Sequence, residues 1–90
     1  MLAVKYKVTN EFGLHAKAST ELVRIANQFH SDIKISADKI QANAKSIMGV
    51  MSLGITYNEV FEMTFNGDDE KEALDAISLA IIDLKIGKEI

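Results

Sequence analysis

Ninety residues leave room for one domain and no second. With 48% apolar and 26% charged residues the chain lies far from the composition of disorder. A net charge of −3, with no two basic residues adjacent, argues against a nucleic-acid partner. Cysteine is absent, which removes disulfides, thiolate metal sites and thiol chemistry together. The N-terminus MLAVKYKVTN has no basic segment followed by an apolar run, and no apolar run is long enough to span a bilayer, so a cytoplasmic protein without membrane insertion is expected.

Leu2, Val4, Tyr6 and Val8 alternate with Ala3, Lys5, Lys7 and Thr9, which predicts a first strand over residues 2–9 with one buried face. From Ala16 onward Ala18, Leu22, Ile25, Ala26 and Phe29 form one apolar stripe of about three helical turns, so a first helix opens directly at His15. His30, just beyond, reads as a C-terminal cap or a solvated residue. Ile33 and Ile35, then Ile40 and Ala42 across the polar Asp38 and Lys39, predict a hairpin whose turn lacks glycine. In NAKSIMGVMSLGI, Ser46 stands before Ile47, Val50 and Met51 at helical spacing and Gly54 is a stop signal, giving a short second helix with Ser46 at its N-cap. Phe61, Met63 and Phe65 mark the next strand. Asp69 with Glu72 has the capping-box spacing, and Ala73, Ile77, Ala80, Ile81 and Leu84 form the stripe of a third helix.

The order β-α-β-β-α-β-α, with strands that alternate in polarity, predicts an α+β open-faced sandwich. Its sheet is four-stranded and mostly antiparallel, with three helices on one face and the other face in water. Three outward lysines, Lys5, Lys7 and Lys34, are too few to make that open face a nucleic-acid surface.

Two helix starts carry the candidate chemistry. A helix N-terminus presents unpaired N–H groups and about half a positive charge, which favour a phosphoryl group. His15 at such a position offers a ring nitrogen as nucleophile, with the N–H groups of Ala16 and Lys17 and the Lys17 ammonium to hold the phosphoryl. Ser46 serves by itself as an ordinary N-cap, and a phosphate there would gain from the same dipole, with Lys45 beside it. Ile47, Met48, Met51 and Leu53 give a short helix more apolar residues than one buried face can use, so one or two of them are expected on the surface. No metal-ligand spacing and no nucleophile-base-acid set is present, and no cofactor is called for.

GLHAKAS, followed about thirty residues later by NAKSIMGVMSLGI within a chain of this element order, resembles the HPr family, the histidine-containing phosphocarriers of the bacterial phosphoenolpyruvate:sugar phosphotransferase system. The resemblance implies one HPr-like domain over residues 1–90, a phosphoryl carrier in a relay rather than a stand-alone catalyst. His15 would receive the phosphoryl group from phosphorylated enzyme I and pass it to sugar-permease IIA domains. Ser46 would be the regulatory site of HPr kinase/phosphorylase, its phosphorylated form binding a catabolite control protein. The partner surface carries over to Ala16, Lys17, Thr20, Arg24, Ile47, Met48 and Met51. An alternative is a regulatory paralogue acting mainly through phosphorylated Ser46. The family pattern Gly-[Ile/Leu]-His-Ala-Arg-Pro-Ala is broken twice, by Lys17 in place of arginine and Ala18 in place of proline. Lysine keeps the charge and loses the planar fork, and alanine gives up a fixed φ and gains an N–H, so weaker transfer is expected.

Overall fold

The computed structural model describes residues 1–90. Each alternating segment forms a strand and each striped segment a helix: β1 Leu2–Val8, α1 Ala16–Ala26, β2 Asp32–Ala37, β3 Ile40–Asn43, α2 Ile47–Ser52, β4 Val60–Asn66, α3 Glu70–Asp83 and β5 Gly87–Glu89. The sheet runs β3-β2-β4-β1-β5 with every neighbouring pair antiparallel. Tyr6 and Val8 of β1, Ile33 and Ile35 of β2, and Phe61, Met63 and Phe65 of β4 all point to one face, where they meet Leu22, Ala26, Ile77 and Ile81 of the helices. α1 packs between α2 and α3, and α3 covers β1, β4 and β5. No helix is long and apolar enough to cross a membrane.

The sheet has five strands where four are expected. β5 is three residues long, carries no apolar alternation, and adds to the free edge of β1 by pairing Tyr6–Val8 with Gly87–Glu89. The chain reaches that edge through a turn the sequence disguises. Lys85 takes a left-handed φ of 55°, its N–H donates to the Ile82 carbonyl at 3.0 Å, and the Ile86 N–H donates to the Ile81 carbonyl at 2.9 Å. That pair of bonds is the helix stop usually built on glycine, and here lysine occupies the glycine position. The β2–β3 turn is similar: Asp38 and Lys39 both have positive φ, 50° and 70°, so a two-residue hairpin forms without glycine.

One smaller expectation is corrected at the start of α3, and at the end of α1 the structure decides between the two readings of His30 in favour of the solvated one. Asp69 is the residue before α3 but makes no cap bond with its side chain. Its carboxylate instead accepts the N–H groups of His30 and Ser31, each at 2.9 Å, and the Ser31 hydroxyl, clamping the entry to β2 onto the entry to α3. Glu70, not Glu72, reaches back, accepting the Gly67 N–H at 3.1 Å. These bonds, the Ser31 hydroxyl first and the His30 N–H next, hold the Asp69 carboxyl down at about 2. The C-cap of α1 is Asn27, and His30 lies beyond it with an exposed side chain.

Candidate functional site

The segment before α1 is held against the loop that follows α2. Gly13 adopts φ 68°, and a Cβ there would stand 2.6 Å from the Ile55 carbonyl oxygen and 2.8 Å from the Thr56 Cα. That close approach lets the Leu14 N–H donate to the Ile55 carbonyl at 3.0 Å. From the other side the buried Ser19 hydroxyl donates to the Leu14 carbonyl at 3.2 Å. His15 therefore follows a residue fixed at both its N–H and its carbonyl, and the glycine serves the protein's own turn.

His15 is the N-cap of α1. Its backbone is extended, its carbonyl accepts the Ser19 N–H at 2.9 Å, and its side chain turns back so that Nδ1 accepts the Ala18 N–H at 3.4 Å. An imidazole nitrogen that accepts carries a lone pair, so the proton of the neutral ring sits on Nε2. Histidine is an uncommon N-cap, and here it does with a ring nitrogen what serine does with an oxygen. The first-turn N–H groups of Ala16 and Lys17 have no acceptor within the helix.

Beside the ring lies a cavity of about 240 Å³ lined by His15, Lys17, Ala18 and Leu84. The structure thus brings two of the expected residues, His15 and Lys17, into one concavity with Ala18, marked in the sequence as a departure from the family pattern, and adds Leu84, which the sequence does not single out. Leu84 reads in sequence only as the last member of the α3 stripe. Its place here follows from the packing of α3 on α1. The other expected residues of α1 face outward. Ala16 is exposed, the Thr20 hydroxyl donates to the Ala16 carbonyl at 2.9 Å, and the Arg24 guanidinium is held by Glu21 at 2.9 Å.

Ser46 caps α2 as expected, its Oγ accepting the Gly49 N–H at 3.0 Å and its carbonyl the Val50 N–H at 3.0 Å. A Cβ on residue 49 would lie 3.3 Å from that Oγ, so glycine keeps the space around the hydroxyl open. Lys45 does not turn to the serine: its ammonium donates to the Phe29 carbonyl at 2.7 Å. Of the surplus apolar residues three are exposed where one or two are expected, Ile47, Met48 and Met51, Met48 by 84%, because a helix of six residues buries only Val50 fully, and Leu53 packs partly on the core. α2 lies against α1, so the outward residues of both helices belong to one side of the molecule.

An antiparallel open-faced sandwich whose first helix opens on a histidine ring nitrogen defines a narrow structural class, and comparison with known proteins gives its family. The sequence profile described as the PTS HPr component phosphorylation site matches residues 2–83. The phosphocarrier protein HPr of Cupriavidus necator is 41% identical over 88 residues, covering 98% of each chain. Among solved structures, the histidine-containing phosphocarrier protein of Mycoplasma superposes with a TM-score of 0.94 at 32% identity, over 96% of this chain and 98% of that one. HPr from Thermoanaerobacter tengcongensis superposes at 0.86 with 40% identity, over 94% of each. The chain belongs to the HPr family of phosphocarrier proteins of the phosphotransferase system.

Proposed function

We propose that the chain carries a phosphoryl group on His15, taken from phosphorylated enzyme I and passed to sugar-permease IIA domains in the cytoplasm. The observation that carries this reading is the Nδ1 lone pair held at the positive end of α1 beside an open cavity. In the transfer Nδ1 attacks phosphorus, a P–N bond forms, and the bond from phosphorus to the donor atom breaks with its electron pair staying on the donor. The Nε2 proton does not move. The incoming dianion lies against the free N–H groups of Ala16 and Lys17 and the helix dipole, with the Lys17 ammonium adding charge. Ala16, Lys17, Thr20 and Arg24 on α1 and Ile47, Met48 and Met51 on α2 form the partner surface, in which exposed methionines suit successive, differently shaped partners.

Ser46 is the regulatory site in this reading, phosphorylated by HPr kinase/phosphorylase and then recognised by a catabolite control protein. The open space at Gly49 and the N-terminal position favour a phosphate on Oγ without loss of the helix. Incubation with enzyme I and 32P-labelled phosphoenolpyruvate tests the carrier function: an acid-labile adduct is expected, lost in His15→Ala. No adduct with a cognate or a general enzyme I overturns it.

A further inference from the structure

Four of the six aromatic side chains, Tyr6, Phe29, Phe61 and Phe65, lie in or against the core. The other two, Phe12 and Tyr57, are 75% and 58% exposed, and they stand on two turns that the fold sets side by side next to His15. Resting on the assignment of His15 as carrier, we infer that Phe12 and Tyr57 form an aromatic docking site for the phosphoryl donor, enzyme I in that reading, which would present an apolar cleft to them.

Each aromatic is displayed on a β-turn clamped by the side chain of one of its end residues. In the turn of residues 10–13 the Gly13 N–H donates to the Asn10 carbonyl at 2.9 Å, and the Asn10 side-chain oxygen accepts the Phe12 N–H at 2.8 Å. In the turn of residues 56–59 the Glu59 N–H donates to the Thr56 carbonyl at 3.2 Å, and the Glu59 carboxylate accepts both the N–H and the hydroxyl of Thr56, each at 2.7 Å. β1 fixes the second turn, since the Asn58 N–H donates to the Val8 carbonyl at 3.0 Å. The Leu14–Ile55 bond and the close approach of Gly13 to Thr56 then tie the two turns together. Single exposed apolar residues are ordinary on a protein surface, but two aromatics on hydrogen-bonded turns are ordered before a partner arrives. Such side chains offer a large contact area for little loss of conformational freedom, which is why aromatics are enriched at interfaces.

The choice of donor over acceptor follows from the two kinds of exposed side chain. On α2, Met48 and Met51 are flexible and repack against differently shaped partners, as a carrier with several IIA acceptors requires. A rigid anchor suits one unvarying partner, and the donor is the protein that meets the carrier in every cycle. The aromatic pair also continues the surface of α2, because residues 53–55 lead from the end of that helix to the second turn. Phe12 is three residues from His15, a stretch of chain that spans at most about 11 Å, so a protein seated on Phe12 also covers the His15 cavity.

Calorimetric titration of the whole chain with unphosphorylated enzyme I measures docking without chemistry. Phe12→Ser and Tyr57→Ser are each expected to weaken binding about tenfold or more, the loss typical of an aromatic anchor, while binding to a IIA domain stays near the wild-type value. Both side chains are exposed, so the variants should keep the wild-type circular dichroism and melting curve. Leu79→Ser, which removes an exposed apolar side chain of α3, controls for general adhesiveness and should bind enzyme I as the wild type does. In the labelling assay Phe12→Ser and Tyr57→Ser should raise KM for phosphorylated enzyme I and retain most of kcat. Unchanged affinity for enzyme I in either variant, or an equal loss towards IIA domains, overturns the inference, as does a wild-type chain that does not bind enzyme I. If the chain binds enzyme I through Phe12 and Tyr57 yet takes no label on His15, the carrier reading falls and this one stands. If it takes the label and the variants bind unchanged, this one falls alone.

Discussion

Replacing Gly13 by alanine tests how firmly the loop before His15 is built. Residue 13 sits at φ 68°, and a left-handed conformation costs a residue with a Cβ roughly 1–2 kcal/mol. The added Cβ would also stand 2.6 Å from the Ile55 carbonyl oxygen and 2.8 Å from the Thr56 Cα. Both are backbone atoms and neither can swing aside as a side-chain tip would. Overpacking of this kind costs about 1–3 kcal/mol, so with the conformational cost at about 1 kcal/mol and the overpacking at about 2 kcal/mol the total loss is about 3 kcal/mol. For a chain of this size that corresponds to a fall in melting temperature of ~12–24 °C. Gly54 supplies the internal control: its φ is 57°, and a Cβ there meets nothing within 4 Å. Gly54→Ala should therefore lose only the conformational part, about 1 kcal/mol and ~4–8 °C. Thermal melting followed by circular dichroism, with urea unfolding for the free energies, measures both. Because relief of the Gly13 clash stretches the Leu14–Ile55 bond, the His15 ring resonances should shift in Gly13→Ala and stay in place in Gly54→Ala. Equal destabilisation by the two substitutions would refute the claim that close approach, and not φ alone, dictates glycine at 13.

Ser46→Ala removes the acceptor of the Gly49 N–H and should cost ~1 kcal/mol, while Ser46→Asp, which restores an acceptor at a helix N-terminus, should recover most of it; melting curves check both, and a Ser46→Ala chain as stable as the wild type would exclude the cap role. The Asp69 clamp predicts a pH dependence with a definite sign. Its carboxyl is held at about 2 in the folded chain against 3.8 as the ordinary value, so the stability it contributes is complete above about pH 4 and is lost as the pH falls from there through 2. Urea midpoints of the wild type and Asp69→Asn should differ in favour of the wild type at pH 7 and converge towards pH 2, and a constant difference across that range would show that the carboxylate's charge is not what binds Ser31 and His30.

The sequence alone determined the elements whose signal is local. Alternation located β1, β2, β3 and β4, helical stripes located α1, α2 and α3, and Ser46 and Gly54 marked the ends of α2, because a strand or a helix needs a periodic apolar face whatever it packs against. It also placed His15 at a helix start and left too many apolar residues on α2 for one buried face, and Ile47, Met48 and Met51 are exposed in consequence. What tertiary structure decided are the features that have no pattern of their own. β5 exists because β1 offers a free edge and because Lys85 takes a left-handed turn normally signalled by glycine. Asp69 spends its carboxylate on Ser31, 38 residues away, and so the nearby capping box does not form. Lys45 goes to the Phe29 carbonyl and not to Ser46. Leu84 comes to the side of His15 only when α3 packs on α1. The physical reason is common to these cases: a hydrogen bond or contact between distant segments is chosen by what the packed core brings within reach, and spacing along the chain does not record that distance.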